Sequence, residues 1–329
     1  MKKGCLLVAF IIFVGFFTSA FGGTAPEELL NAVVRIRAII PAEARTADIL
    51  GTEREGHGVL IDSTGIILTT GYLIIESETI EVTGQDGKKF EADFVGYDYA
   101  SGFGVLRTKK PLNVEPIKLG RSSTVKVGDP VMVAGYGGTA SALGARVIAR
   151  REFAGYWEYL LDNAIYTSPP FADFGGAALI SSEGRLLGIG SLFTEFEIEG
   201  LGSLPCNVFI PIDLLPPILE DLIAVGRPKK PARPWLGVNA EEAHARVFIT
   251  RTTAEGPAER AGLNAGDLIL KVNGKAVEGL SDFYRKLWAL GSSGIKVTLT
   301  ILRGTEIKEV NVNTGDRYEN FQLKPKKPI

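Results

Sequence analysis

At 329 residues the chain is longer than one ordinary hydrophobic core organises, so two domains are expected. Its 36 basic and 38 acidic side chains nearly cancel, to a formal net charge of -2, which excludes a global attraction to nucleic acid or anionic lipid and leaves function to local sites. With 39 glycines, and with short apolar runs bounded by Gly, Asp, Ser and Pro, the chain reads as turn-rich β structure with few helices.

In chain order, Met1-Lys2-Lys3 is a basic start, Cys5 to Phe17 an apolar run, and Thr18-Ser19-Ala20 with Gly22 a small-residue cleavage region. Residues 1–22 therefore read as an export signal. The apolar run falls short of the roughly 20 residues that span a bilayer, so membrane attachment is expected only if the signal is retained. After cleavage Cys206 is the sole cysteine and no internal disulfide can form, which favours the periplasm or cell envelope of a bacterium over a bridge-stabilised secreted protein.

Residues 23–226 form the first expected unit: a short helix from Pro26 to Ala32, then many strands. A hairpin runs from Gly58-Val59-Leu60-Ile61 through Asp62-Ser63-Thr64-Gly65 into Ile66-Ile67-Leu68-Thr69. Further strands are expected at Lys89 to Phe94, Gly104 to Arg107, Pro130 to Ala134, Leu186 to Ser191 and Val208 to Pro211. Residues 227–234, with proline at every third position, read as an extended linker. Residues 235–314 form the second unit, with a helix from Ala258 to Ala261, a strand from Leu268 to Val272, a helix to Leu290 capped by Ser281, and a strand from Lys296 to Leu302. Residues 315–329 are expected to be a disordered basic tail.

Several segments together resemble the HtrA/DegP family. Gly56-His57-Gly58-Val59-Leu60-Ile61-Asp62-Ser63-Thr64-Gly65-Ile66-Ile67-Leu68-Thr69-Thr70 looks like the stretch leading to the family's catalytic histidine, whose position is Tyr72 here. Asp98-Tyr99-Ala100-Ser101-Gly102-Phe103-Gly104-Val105-Leu106 resembles the run carrying the catalytic aspartate, placed at Gly102. Ala172-Asp173-Phe174-Gly175-Gly176-Ala177-Ala178-Leu179 resembles the nucleophile motif, with Phe174 at the serine position. Gly256 to Gly274 closely matches a PDZ domain that begins near Trp235-Leu236-Gly237-Val238. The resemblance implies a mainly β fold: a chymotrypsin-like double β-barrel followed by an α+β PDZ domain.

Cleavage by such a fold needs a hydroxyl activated by an imidazole that a carboxylate orients. Phe174 offers no nucleophile, Tyr72 is a poor base near pH 7, Gly102 orients nothing, and Ala172 replaces the glycine preceding the oxyanion motif. Phe174 is expected to pack on Tyr72 and fill the cleft. The chain is therefore expected to be no enzyme but a degenerate, non-catalytic member of the serine endopeptidase family. The alternative is an active endopeptidase with a relocated site using His57, which the hairpin register brings opposite Thr70. Ser168, Cys206 and the Ser181-Ser182 pair carry no motif linking them to it, Cys206 reading as a buried apolar residue and His244 as a loop residue. No Cys/His/Asp cluster has metal-ligand spacing and no cofactor motif is present.

The function that follows from the resemblance is capture of peptide termini or exposed segments by the PDZ domain, as scaffold, chaperone or regulator of protein quality control. A PDZ domain adds an extended chain beside its own sheet while loop amides take the terminal carboxylate. Trp235, Leu236, Gly237 and Val238 are the expected loop and strand, and Phe283 and Leu287, one helical turn apart, line the groove or belong to the core. Homo- or hetero-oligomers with related proteases, trimers in particular, are expected from the same resemblance.

Overall fold

The computed structural model describes residues 26–198, 200 and 202–321. The export-signal reading and the last eight residues lie outside them. The first unit opens with the short helix α1 (Pro26–Leu30) and a closed barrel of β1 (Val33–Ile39), β2 (Glu53–Leu60), β3 (Ile66–Thr70), β4 (Thr79–Thr83), β5 (Lys89–Tyr97) and β6 (Phe103–Thr108). Around it the strands run in the order β1-β2-β3-β6-β5-β4, all antiparallel, and the expected hairpin closes with Val59 opposite Leu68. Asp62 fixes its turn by accepting from the Thr64 and Ile66 N–H groups, an Asx arrangement that the sequence Asp-Ser-Thr-Gly favours. Two short helices, α2 (Ala47–Leu50) and α3 (Gly71–Ile74), interrupt the barrel's connections.

A second closed barrel holds β7 (Pro130–Ala134), β8 (Ala142–Gly155), β9 (Tyr159–Ser168), β10 (Ala178–Ser181), β11 (Leu186–Ile198) and β12 (Gly202–Pro211), in the order β10-β11-β12-β9-β8-β7. Closure removes free sheet edges, and one continuous apolar cluster runs from Val33 and Ile67 in the first barrel to Ile189 and Ile210 in the second. The helix α4 (Pro216–Val225) starts on two prolines and ends at Gly226 in the left-handed region, the arrangement expected of a helix start and stop.

The third module is a sheet of β13 (Val238–Ala243), β14 (Arg246–Thr252), β15 (Leu268–Val272), β16 (Lys275–Ala276), β17 (Lys296–Arg303) and β18 (Glu306–Asn313), with α5 (Pro257–Arg260) and α6 (Leu280–Trp288) packed on it. Ser281 does not cap α6; its start is held by Glu242, whose carboxylate accepts from the Leu280 N–H at 2.7 Å, and by Asp282, which accepts from the Glu278 N–H. The first is a contact that a local cap rule does not see, because Glu242 comes from β13, whereas the second is local to the helix start.

Asp267 braces this module. Its side chain is 1% exposed, accepts from Arg303 Nε and Nη2 at 2.7 Å each, and accepts from the Asn264 N–H. Burial works to raise its carboxyl, and the Arg303 guanidinium with the Asn264 N–H outweighs that, leaving the group below its ordinary value. A depressed folded-state value means stability that is present above the unfolded carboxyl value of about 3.9 and is lost as pH falls through the folded one. Replacing Asp267 by Asn should cost the PDZ module about 2 kcal/mol in denaturant unfolding at neutral pH and flatten its acid limb. An unchanged acid limb would remove Asp267 from this role.

Linker and tail are both more structured than expected. The Arg233 N–H donates to the Tyr99 hydroxyl at 2.8 Å, Lys229 pairs with Asp221, and the Arg233 guanidinium lies 4.5 Å from the Trp288 ring centre. Residues 315–321 are ordered rather than a free tail: Gly315 bridges to Trp235, and Tyr318 is buried against Tyr97 and Tyr99. The reason is burial of Tyr318, with Phe321 packed partly buried beside it, against Tyr97 and Tyr99, an aromatic gain that charge and proline content do not reveal.

Candidate functional sites: the barrel seam and the PDZ groove

The seam between the barrels gathers the positions the resemblance singled out. Gly102 adopts a positive φ of 87°, accepts from the Gly71 N–H at 2.8 Å and donates to the Asp98 carbonyl at 2.7 Å, which ties it to the start of α3. Tyr72 on α3 donates to the Ser191 carbonyl at 3.3 Å, and burial pushes its hydroxyl up to about 12. Opposite lies the 172–176 loop, where a side chain built on Gly175 would meet the Tyr72 hydroxyl at 2.7 Å. The loop turns through Phe174, whose carbonyl accepts from the Ala177 N–H, and Gly176 at a φ of 77°.

The expected packing of Phe174 on Tyr72 does not appear among the ring contacts of the described residues. Phe174 is half-buried and joins none of the core clusters of the described residues; the ring that packs on the second barrel is Phe171, 6.3 Å from the His57 ring. Ala172 is exposed.

His57 lies beside this loop. Its N–H donates to the Gly175 carbonyl at 2.8 Å, its carbonyl accepts from Thr69 Oγ1 at 2.6 Å, and its Nδ1 accepts from the Tyr136 N–H at 3.0 Å. An accepting Nδ1 places the neutral ring's proton on Nε2. Burial lowers the imidazole's pKa, with Asp173 acting against it. The hydroxyls and thiol considered with it are engaged elsewhere: Ser168 Oγ donates to the Pro205 carbonyl, Ser181 Oγ accepts from the Glu183 and Arg185 N–H groups, and Cys206 is fully buried with its thiol pushed up to about 11. Arg54, not singled out by the sequence, runs buried beneath α3 and donates to the Tyr72 and Ile75 carbonyls. Burial lowers that guanidinium to about 10.

The second site is the groove between β13 and α6. The N–H groups of Leu236, Gly237 and Val238 converge on one carboxylate, that of Glu158 at the tip of the β8–β9 hairpin. Gly237 and Val238 donate to Oε1 at 2.7 and 3.1 Å, and Leu236 donates to Oε2 at 3.1 Å. Burial pushes the Glu158 carboxyl above its ordinary value, and these N–H groups with Arg317 pull it back. Next to it the Ala240 N–H on β13 donates to the Tyr156 carbonyl at 2.8 Å, one backbone hydrogen bond that fixes the hairpin's turn against β13.

From α6, the Tyr284 hydroxyl accepts from the Glu158 N–H at 3.1 Å and donates to the Gly155 carbonyl at 2.9 Å. Phe283 and Leu287 are fully buried in the PDZ core, and Trp235 is buried at its rim. Of the expected groove residues, the structure brings Leu236, Gly237 and Val238 to the carboxylate and turns Phe283 and Leu287 inward. Glu158 and Tyr284 were missed: no motif marks them, and the one signal was the aromatic run Tyr156-Trp157-Glu158-Tyr159 between two strands.

The trypsin-like peptidase domain model matches residues 56–189 and the PDZ domain model matches residues 234–314. The serine endoprotease DegS of Haemophilus influenzae is 31% identical over 300 residues, covering 85% of this chain and 83% of that protein. The periplasmic serine endoprotease DegP of Escherichia coli is 27% identical over 277 residues, 78% of this chain but 56% of DegP, so the chain spans little more than half the length of that relative. Among solved structures, the HtrA-type protease AlgW with decapeptide matches with a TM-score of 0.52 at 21% identity over 88% of this chain and 96% of that one. The serine endoprotease from Yersinia pestis matches with a TM-score of 0.52 at 24% identity over 89% and 98%.

These relatives correct the expectation that the chain is no enzyme. Those it matches are named serine endoproteases, including the one 31% identical, so the occupants of three motif positions are not a ground for calling it inactive.

Proposed function

The chain belongs to the HtrA family, and from that premise we propose that its PDZ groove captures extended peptide segments ending in a free carboxylate. The observation that carries this reading is the cradle itself: three successive backbone N–H groups close on two carboxylate oxygens, and the neighbouring Ala240 N–H on β13 donates to the backbone of the same segment. Charged acceptors strengthen such bonds, and successive amides select a carboxylate over a carbonyl. The names of the relatives place them in the periplasm, and the proposed setting is likewise a bacterial envelope, where the protein serves protein quality control as scaffold, chaperone or regulator. Assembly with copies of itself or with related proteases belongs to the same proposal.

The test uses a hexapeptide, Phe-Ala-Gly-Tyr-Trp-Val, labelled at its N-terminus with a carboxylate-free BODIPY dye; it carries the hairpin's own run from Phe153 to Trp157 and has its terminal carboxylate as its only carboxylate. The full chain should bind it in the micromolar range, and Gly237→Val should weaken binding by about tenfold or more. Gly237 sits at a φ of 77° with the Trp235 ring 3.1 Å and Pro257 3.4 Å from where a side chain would start, so a branched residue distorts the loop. Equal binding by the folded Gly237→Val chain would turn the reading toward a holdase with no carboxylate requirement.

A further inference from the structure

The groove is not open. Its cradle holds a carboxylate that belongs to the same chain, and the surroundings of that carboxylate are those of a bound ligand rather than of a surface side chain. Glu158 is 3% exposed, adopts a positive φ of 54°, and has its own N–H and the preceding Gly155 carbonyl both bonded to the Tyr284 hydroxyl. Arg317 Nη1 donates to the Trp157 and Glu158 carbonyls at 2.9 and 3.3 Å, and Arg285 pairs with Glu152 and Asp162, one on each strand of the hairpin. Leu160, just past the tip, is buried in the PDZ core.

We infer that the tip of the β8–β9 hairpin is a tethered ligand of the PDZ groove, its Glu158 carboxylate standing where a peptide's terminal carboxylate would, so that a free C-terminal peptide binds only by displacing it. The inference rests on the reading of the groove as a carboxylate receptor. The cradle recognises two oxygens and not the chain behind them, so a side-chain carboxylate fits as well as a terminal one. The single backbone hydrogen bond from the Ala240 N–H to the Tyr156 carbonyl holds the turn beside β13. Because the occupant is attached, its competition is intramolecular, and the apparent affinity for a free peptide falls by the fraction of molecules in which the hairpin has left. Peptide capture and hairpin docking are then mutually exclusive states of one molecule.

The test compares the full chain with Glu158→Gln and, as a second variant, Glu158→Ala, each checked for folding by circular dichroism. Hydrogen exchange read at Gly237, Val238 and Ala240 should be about tenfold faster in both variants, and the hexapeptide should bind them about tenfold more tightly than the unaltered chain. Unchanged exchange in the folded variants would overturn the tethered-ligand inference. So would faster exchange with hexapeptide affinity equal to that of the unaltered chain, because the occupant would then not compete. Faster exchange with no hexapeptide binding by any chain would leave the resident carboxylate supported and instead refute the groove as a peptide receptor, together with the displacement step built on it.

Discussion

Gly176→Ala should destabilise the barrels by on the order of 3–4 kcal/mol, read as a shift of their denaturant unfolding transition. Gly176 holds a φ of 77°, where an L side chain is strained, and a side chain there would run into the His57 carbonyl, which already accepts from Thr69 Oγ1. The obstacle is backbone on β2, not the end of a flexible side chain, so it cannot be cleared by a rotamer change. The Gly176 N–H also donates to the Gly190 carbonyl at 2.8 Å, and a shift of the loop would weaken that bond. A loss under about 1 kcal/mol would mean that the 172–176 loop and His57 are not held against each other as described.

The other large effect is expected at Tyr284. Its side chain is fully buried between the PDZ core and the hairpin, stacked on Trp288 with ring centres 5.3 Å apart. Tyr284→Ala removes that packing and both hydroxyl bonds, for an expected loss of about 3–5 kcal/mol from the PDZ module and its docking. Tyr284→Phe keeps the ring and leaves the Glu158 N–H and the Gly155 carbonyl without their partner, for about 1–2 kcal/mol. Thermal unfolding of the three proteins separates the packing from the polar share. Equal stability of Tyr284→Phe and the unaltered chain would show that the hydroxyl does not hold the hairpin.

Much of the fold was legible because its signals are local. The Asp62-to-Gly65 turn, the proline that starts α5, and the Asn273-Gly274 turn after β15 each act within a few residues, and those elements formed where the residues indicated, whereas α4, with two prolines at its start, was not expected. The start of α6 was misassigned to Ser281 because the group that holds it, Glu242, lies on another element. The ordering of residues 315–321 escaped for a similar reason: Tyr318 finds its partners, Tyr97 and Tyr99, more than two hundred positions earlier.

The sites divide in the same way. Motif order located the seam around Tyr72, Gly102 and the 172–176 loop, since spacing along the chain carries over to barrel geometry. The expected packing of Phe174 on Tyr72 does not appear among the ring contacts of the described residues, and Tyr72 instead reaches the Ser191 carbonyl, a partner on a distant strand that no local motif marks. The loop at Leu236 to Val238 was found by resemblance. Its occupant was not, because a glutamate about eighty residues upstream carries no mark of its destination.

The most direct test of the account is titration of the labelled hexapeptide into the full chain, with a free C-terminus and with the same C-terminus amidated. If the Leu236, Gly237 and Val238 N–H groups recognise a carboxylate, amidation removes the charge they bind, and affinity should fall by about tenfold or more. Equal affinity for the two peptides would contradict carboxylate capture as the function of this groove.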